Sequence, residues 1–190
     1  MINLTIEKIK NEADVYNIPR AKIATIDFIN SIIQKKNVKS ILEIGTGNGF
    51  SSASFSQNKN IKKILTFEID PERIKLAKLN LKYFPKVEII EKDFLEWNGD
   101  EKFDLIFIDG MKRLYKDFFL HSQKFSKKNT IFVSDNLNFL NNRSINNFEN
   151  KYKNIIEKLR EYVVFLEAEK NFQTDFYFDT GDGIAITTSK

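Results

Sequence analysis

Hydrophobic and polar positions along this chain fall into two alternating rhythms. Short apolar runs of strand length occur at Ser40–Ile44, Ile64–Phe67, Val87–Ile90, Leu105–Ile108 and Ile131–Val133, and stretches of helical period separate them. Continuous apolar strands that alternate with helices predict a mostly parallel sheet covered on both faces. Helix starts are marked by Ile18-Pro19 and by Asp70-Pro71, where a capping acid precedes proline at the first helical position. Asn98-Gly99 predicts a turn before the Leu105–Ile108 strand. Further on, Ile145, Phe148, Tyr152, Ile155, Leu159, Tyr162 and Leu166 step by three and four, predicting one apolar stripe on a helix of about 23 residues. Such a stripe covers a sheet or meets a second copy of the chain; a coiled coil is the alternative. The chain closes with Phe172–Phe178, the turn Asp179-Thr180-Gly181-Asp182-Gly183 and Ile184–Thr188, an expected antiparallel hairpin.

The expected fold class is therefore α/β, with helices 1–37 preceding a core at 38–190 in one domain. The 190 residues and 42% hydrophobic content, with 18 Phe, suffice for a full core. Apolar runs are far shorter than the ~20 residues of a membrane span. The start, Met1-Ile2-Asn3-Leu4-Thr5-Ile6-Glu7-Lys8, carries an early acid and no sustained apolar core, so no signal peptide is expected. The absence of cysteine excludes disulfides, thiolate nucleophiles and zinc-thiolate sites, and is compatible with a cytoplasmic protein. A formal charge of +4 would favour a polyanionic partner, but the lysines are spread along the chain, as a compositional bias alone would leave them.

Candidate chemistry begins at Ile41-Leu42-Glu43-Ile44-Gly45-Thr46-Gly47-Asn48-Gly49-Phe50-Ser51-Ser52, a strand that runs into a glycine turn and then a helix. Glycine allows positive φ and close approach of a ligand, so this context suits a nucleoside-bearing cofactor. The glycines alternate, unlike the G-x-G-x-x-G of dinucleotide sites, and Glu43 stands two residues before the first. At the end of the next strand Glu68 lies 23 residues past Gly45, where an acid accepts hydrogen bonds from ribose hydroxyls.

A second group follows. Phe103-Asp104-Leu105-Ile106-Phe107-Ile108-Asp109-Gly110-Met111-Lys112 and Val133-Ser134-Asp135-Asn136 are apolar strands that end in oxygen-bearing side chains. Asp109, Asp135 and Asn136 would project from the carboxyl edge of the sheet, where ligands bind. Two carboxylates and an amide, without His or Cys, suit a hard cation such as Mg²⁺. Lys112, three residues past Asp109, is placed to take a proton from an acceptor hydroxyl. Read one at a time, these acids could instead cap helices or end strands in solvent.

The acidic-x-Gly-x-Gly-x-Gly pattern resembles the first motif of class I S-adenosylmethionine-dependent methyltransferases. That likeness implies a Rossmann-like, seven-stranded, mostly parallel sheet with a C-terminal antiparallel hairpin and helices on both faces. The pairing of Asp-x-x-Lys with Asp-Asn resembles the divalent-cation-dependent O-methyltransferases of the catechol and caffeoyl-CoA type, and the Asn-Pro-Pro-Tyr motif of amino-methylating enzymes is absent. The resemblance implies metal ligands at Asp109, Asp135 and Asn136 and a catalytic lysine at Lys112. It implies cofactor contacts from Ala21, Glu43, Gly45, Gly47, Gly49, Ser51, Glu68 and Asp109, with Asp93 at the adenine amino group and Phe94 beside the ring. Over nearly its full length, through Asn17-Ile18-Pro19, Asp135-Asn136-Leu137-Asn138-Phe139 and Gly181-Asp182-Gly183-Ile184-Ala185-Ile186, the chain looks like the bacterial tRNA 5-hydroxyuridine methyltransferases, which make 5-methoxyuridine at the wobble position. That branch implies a tRNA partner and a homodimer. Gly110-Met111 and Arg20-Ala21 depart from the residues usual at those places. A small-molecule O-methyltransferase of vicinal hydroxyls is the alternative, with a non-catalytic binding module and an oxidoreductase behind it. Arg20, Lys22, Arg113 and Arg143 are candidates for tRNA phosphates, His121 for a helix surface or interface, and Trp97 for packing or the adenine border.

Overall fold

The computed structural model describes residues 2–140 and 145–190, with side chains over 5–138 and 152–190. Two helices, α1 (Ile2–Val15) and α2 (Ile23–Lys35), precede β1 (Ser40–Ile44). Then follow α3 (Phe50–Ser56), β2 (Lys63–Phe67), α4 (Pro71–Leu81), β3 (Val87–Ile90), β4 (Phe103–Ile108), α5 (Tyr115–Ser122), β5 (Ser126–Ser134), α6 (Ile145–Ala168), β6 (Phe172–Tyr177) and β7 (Ile184–Ser189). The strands form one seven-stranded sheet in the order β3-β2-β1-β4-β5-β7-β6, and β7 runs antiparallel to both its neighbours. The expected Rossmann-like sheet with its terminal hairpin is what forms.

Period-two alternation sends each strand's side chains to two cores. Ile41, Ile64, Leu105, Phe107 and Val133 pack with Ile29, Ile33 and Phe55 under α1 to α4. Leu42, Ile44, Ile106, Ile108 and Phe132 pack with Phe119, Leu159 and Tyr162 under α5 and α6. Phe55 meets Phe107 edge to face at 5.6 Å, and burying each such side chain contributes about 1.5–3 kcal/mol. The α6 stripe thus covers the second core: Leu159, Tyr162 and Leu166 are fully buried, and the Tyr162 hydroxyl pairs with Ser134 Oγ at 2.7 Å. Ile145 and Phe148, its first two positions, have side chains outside the described residues.

Two strands begin earlier than their apolar runs. β4 opens at Phe103 and carries an irregularity before Leu105, because Asp104 turns aside to accept the Lys39 and Ser40 amides, both at 2.9 Å. β5 opens at Ser126, where polar residues are tolerated because Lys127, Lys128 and Asn129 face solvent. Asp70 caps α4 as its sequence predicts, accepting from Glu72 N at 3.0 Å and Arg73 N at 3.1 Å with Pro71 behind it. Among the described residues, no helix is long and apolar enough to cross a membrane.

The strand order reverses between β1 and β4. Connections to β2 and β3 leave on one side and those to β5 on the other, so a crevice opens beyond the carboxyl ends of β1 and β4.

Candidate active site

That crevice is a cavity of about 640 Å³. Its first wall is the glycine turn after β1. Asp109 N donates to Ile44 O at 3.0 Å, which draws the ends of β1 and β4 together. Gly45, at φ +103, must be glycine, because a Cβ there would lie 2.6 Å from the Asp109 carbonyl oxygen. Gly47, at φ +57, donates its N–H to Glu68 Oε2 at 2.9 Å. The other oxygen of Glu68 accepts from Ile69 N at 2.9 Å and Asp70 N at 3.1 Å, so this carboxylate ties the end of β2 to the turn while still lining the cavity. Gly45, Gly47, Ser51, Glu68, Asp93, Phe94, Asp109 and Ala21 all line the cavity.

Two sequence-predicted cofactor residues do not reach it. Glu43 is fully buried beneath the turn, where it accepts from Thr66 Oγ1 at 2.6 Å and from Ser52 Oγ. Burial pushes its pKa up, against the pull of the Ser51, Ser52 and Thr66 hydroxyls. Its role is to brace β1, α3 and β2 from below, because the alternation of β1 turns position 43 away from the crevice. Gly49, at φ +91, starts α3, and its bare Cα faces the Leu81 side chain, which a Cβ would approach to 2.7 Å. Close packing of α3 on α4 explains that glycine.

Asp93 caps the short 3-10 turn 94–96, accepting from Leu95 N at 2.9 Å, and presents its remaining surface to the cavity. Phe94 is buried against Phe67 and Phe118. Trp97 packs on Phe67 and Phe125 away from the cavity. His121 is half-buried, its Nε2 2.9 Å from the Trp97 carbonyl oxygen and its ring against Phe94, so it holds α5 to the 94–96 turn instead of lying on a helix surface.

The opposite end gathers Asp109, Lys112, Asn136 and Asp182, with Met111, Leu114 and Phe118 beside them. Asp135 lies just beneath, fully buried; its Oδ1 accepts from Asn136 N at 2.7 Å and Thr25 Oγ1 at 3.4 Å, and its Oδ2 has no partner. Asn136 takes φ +63, a left-handed conformation that Asn tolerates and that turns the chain at the strand end. Burial raises the pKa of Asp109 well above the ordinary range, the Asp135 carboxylate adds to it, and Lys112 opposes both. Burial likewise pushes Asp135 up to about 6.

A half-buried carboxylate, Asp109, and a fully buried one with an orphaned oxygen, Asp135, repel one another, a costly arrangement that a hard cation would relieve. Among the described residues no three His, Cys, Asp or Glu side chains are grouped to hold a metal ion, so the donors on offer are two carboxylates and the Asn136 amide. That set fits an oxygen-ligated divalent cation that keeps several waters.

The basic candidates divide. Arg20 lines the cavity but is ion-paired to Asp14, with Nε to Oδ1 at 3.0 Å, and lies 5.3 Å over the Phe50 ring. Lys22 pairs with Asp182 at 2.5 Å. Arg113 is exposed. Arg143 lies outside the described residues. Arg73 and Lys92, not anticipated from sequence, stand on the cavity rim. Asp182, Thr25 and the buried Tyr115, whose hydroxyl has no partner, were also missed. For Asp182 the signal was present: an acid between two glycines in the terminal turn.

Comparison with known proteins agrees with this geometry. The sequence model of the O-methyltransferase family matches residues 2–188. A Staphylococcus aureus structure assigned as a caffeoyl-CoA O-methyltransferase superposes with a TM-score of 0.87 at 30% identity, covering 97% of this chain and 92% of that one. An O-methyltransferase from Bacillus cereus in complex with SAH shares the fold, with a TM-score of 0.78 at 22% identity over 98% of this chain and 90% of that one. The catechol O-methyltransferase of Niastella koreensis is 28% identical over 123 residues, 58% of this chain and 54% of its own. The chain spans about half the length, or less, of the curated relatives it matches.

Proposed function

This chain belongs to the O-methyltransferase family, and from that premise we propose that it moves the methyl group of S-adenosylmethionine to the hydroxyl of a chelating acceptor, 5-hydroxyuridine in tRNA. The observation that carries the transfer reaction is a cavity with a glycine turn and Glu68 at one end and Asp109, Lys112 and Asn136 at the other. The tRNA acceptor rests on the sequence resemblance.

S-adenosylmethionine, when bound, supplies an electrophilic sulfonium methyl. A divalent cation held by Asp109, Asp135 and Asn136, Mg²⁺ in our reading, would supply positive charge that acidifies an acceptor hydroxyl. The chain's residues do the rest. Glu68 has one acceptor position left, on Oε2, to orient a ribose hydroxyl, Asp93 and Phe94 bound the adenine end, and Phe118 and Leu114 keep water from the reacting atoms. Lys112, when its amine is in the neutral form, takes up the acceptor proton as the acceptor oxygen bonds to the methyl carbon and the sulfur–carbon bond breaks. In 5-hydroxyuracil the hydroxyl lies beside the O4 carbonyl, so two oxygens face the acidic end together, as in a catechol. We place the enzyme in the cytoplasm as a homodimer.

The likeness to a catechol O-methyltransferase favours a second reading, a small vicinal diol as acceptor. Methyl incorporation into hydroxyuridine-containing tRNA against a catechol panel decides between them, read by nucleoside mass spectrometry. Asp135→Ala should abolish turnover while SAH binding survives. Full activity in that variant, or in excess chelator, overturns the cation assignment.

A further inference from the structure

The terminal turn 179–183 has no part in the reaction above, yet the structure fastens it to two sides of the site. Gly181, at φ +60, presses on α2 so closely that a Cβ would overlap Thr25 Oγ1. Gly183, at φ +85, lies against the segment after Asn136, where a Cβ would stand 2.6 Å from Asn138 N. Backbone bonds fix the same contact: Asn138 N donates to Asp182 O at 2.6 Å and Leu137 N to Gly183 O at 2.9 Å. Between the two glycines, Asp182 lines the cavity and accepts the Lys22 ammonium at 2.5 Å.

Lys22 is the N-cap residue of α2, extended just before the helix begins at Ile23. That helix has no side-chain cap and no acid in its first turn, and Asp182 meets it through the Lys22 ammonium. The residues just before it cover the cofactor wall. Pro19, Arg20 and Ala21 line the cavity, and a Cβ on Gly47 would lie 3.6 Å from Pro19 O and 3.7 Å from Ile18 Cγ2. Near its start this strap is held by Ile18 N to Ala13 O at 2.8 Å and by Arg20 on Asp14, ties that do not involve the terminal turn. At its far end Lys22 joins it to the acceptor end.

We propose that the Lys22–Asp182 pair is a latch, with Asp182 as a positioning residue: it holds strap 16–22 across the cavity, and a nucleoside cofactor leaves when the pair separates. The side chains are 52% and 28% exposed, enough for water to compete, so the latch is weak and reversible. The inference rests on the cavity's being the cofactor site, and not on the acceptor.

The test uses the full chain with SAH as probe, in Lys22→Gln, Asp182→Asn and the charge swap Lys22→Asp/Asp182→Lys. Each single variant should release SAH about fivefold faster, the scale of one half-exposed ion pair. In the ligand-free protein, hydrogen exchange should speed up at the amides of residues 18–26, and the swap should restore both readouts toward the parent. Unchanged release and exchange in both single variants overturns the latch, as does a swap no better than either. If the parent protein does not bind SAH, the functional reading fails, and the exchange data alone decide the latch.

Discussion

Replacing Gly45 with alanine tests the physical argument for the glycine turn most directly. Two costs combine at that position. A side chain at φ +103 is strained, which costs about 1–3 kcal/mol. The added Cβ would also lie 2.6 Å from Asp109 O, 2.9 Å from Asp109 C and 3.0 Å from Gly110 Cα, all backbone atoms that no rotamer change can move. Relief means parting β1 from β4 and losing the 3.0 Å bond from Asp109 N to Ile44 O, a further ~1–3 kcal/mol. Gly45→Ala should therefore cost about 2–6 kcal/mol, centred on ~4, or roughly 8–16 °C in Tm at that centre for a chain of this size. Gly47→Ala is the control: at φ +57 its Cβ would meet nothing closer than 3.6 Å, so it should lose only about 1–2 kcal/mol. Gly49→Ala should fall between them, because its obstacle is the movable Leu81 side chain. Urea denaturation of the ligand-free protein, with m checked for constancy, measures all three. A Gly45→Ala variant as stable as Gly47→Ala would refute the clash as the reason for this glycine.

Glu43 and Asp104 make opposite predictions with pH. Burial raises the pKa of Glu43, so the folded chain keeps a proton that the unfolded chain has lost, and stability falls as pH climbs from about 4.3 toward the folded value. Glu43→Gln should show a shallower slope in denaturation curves taken across mildly acidic pH, the remainder coming from Asp109 and Asp135; an identical slope in both proteins would sink the assignment. At Asp104 partial burial pushes the pKa up, but Lys127 and the Lys39 and Ser40 amides outweigh it and hold the carboxyl below its ordinary value. Its stabilisation is then present above about pH 3.9 and lost as pH falls through the folded value. Asp104→Asn should cost about 1–2 kcal/mol at neutral pH, with the difference from the parent closing in acid; a constant difference would place the effect in packing.

How much of this was legible in advance depends on the range over which each feature is decided. The Asp70-Pro71 cap, the five central strands and the terminal hairpin follow from signals only a few residues long, and all form, although β4 and β5 start earlier than their apolar runs. Glu68 and Asp109 were readable because an acid that ends an apolar strand leaves the sheet at its carboxyl edge. Glu43 misled for a local reason: it sits inside β1, and the motif around it drew attention to the glycines instead of to the face its side chain takes. Phe103 and Asp104 escaped because an acid interrupts the apolar run, and the Lys39 and Ser40 amides that accommodate it come from the start of β1 and the residue before it.

By itself the sequence determined which segments are strands and helices, that the sheet is mostly parallel, and which oxygen-bearing residues gather at its edge. Those properties follow from period, capping and composition, which neighbours along the chain settle among themselves. Only the tertiary structure decided that Asp135 lies beneath the cavity while Asn136 reaches it, that Gly49 serves Leu81, and that Lys22 meets Asp182 across 160 positions of chain. Strand order and the packing of α2 against the terminal turn set those pairings, because which residues meet across the crevice depends on how distant segments are stacked.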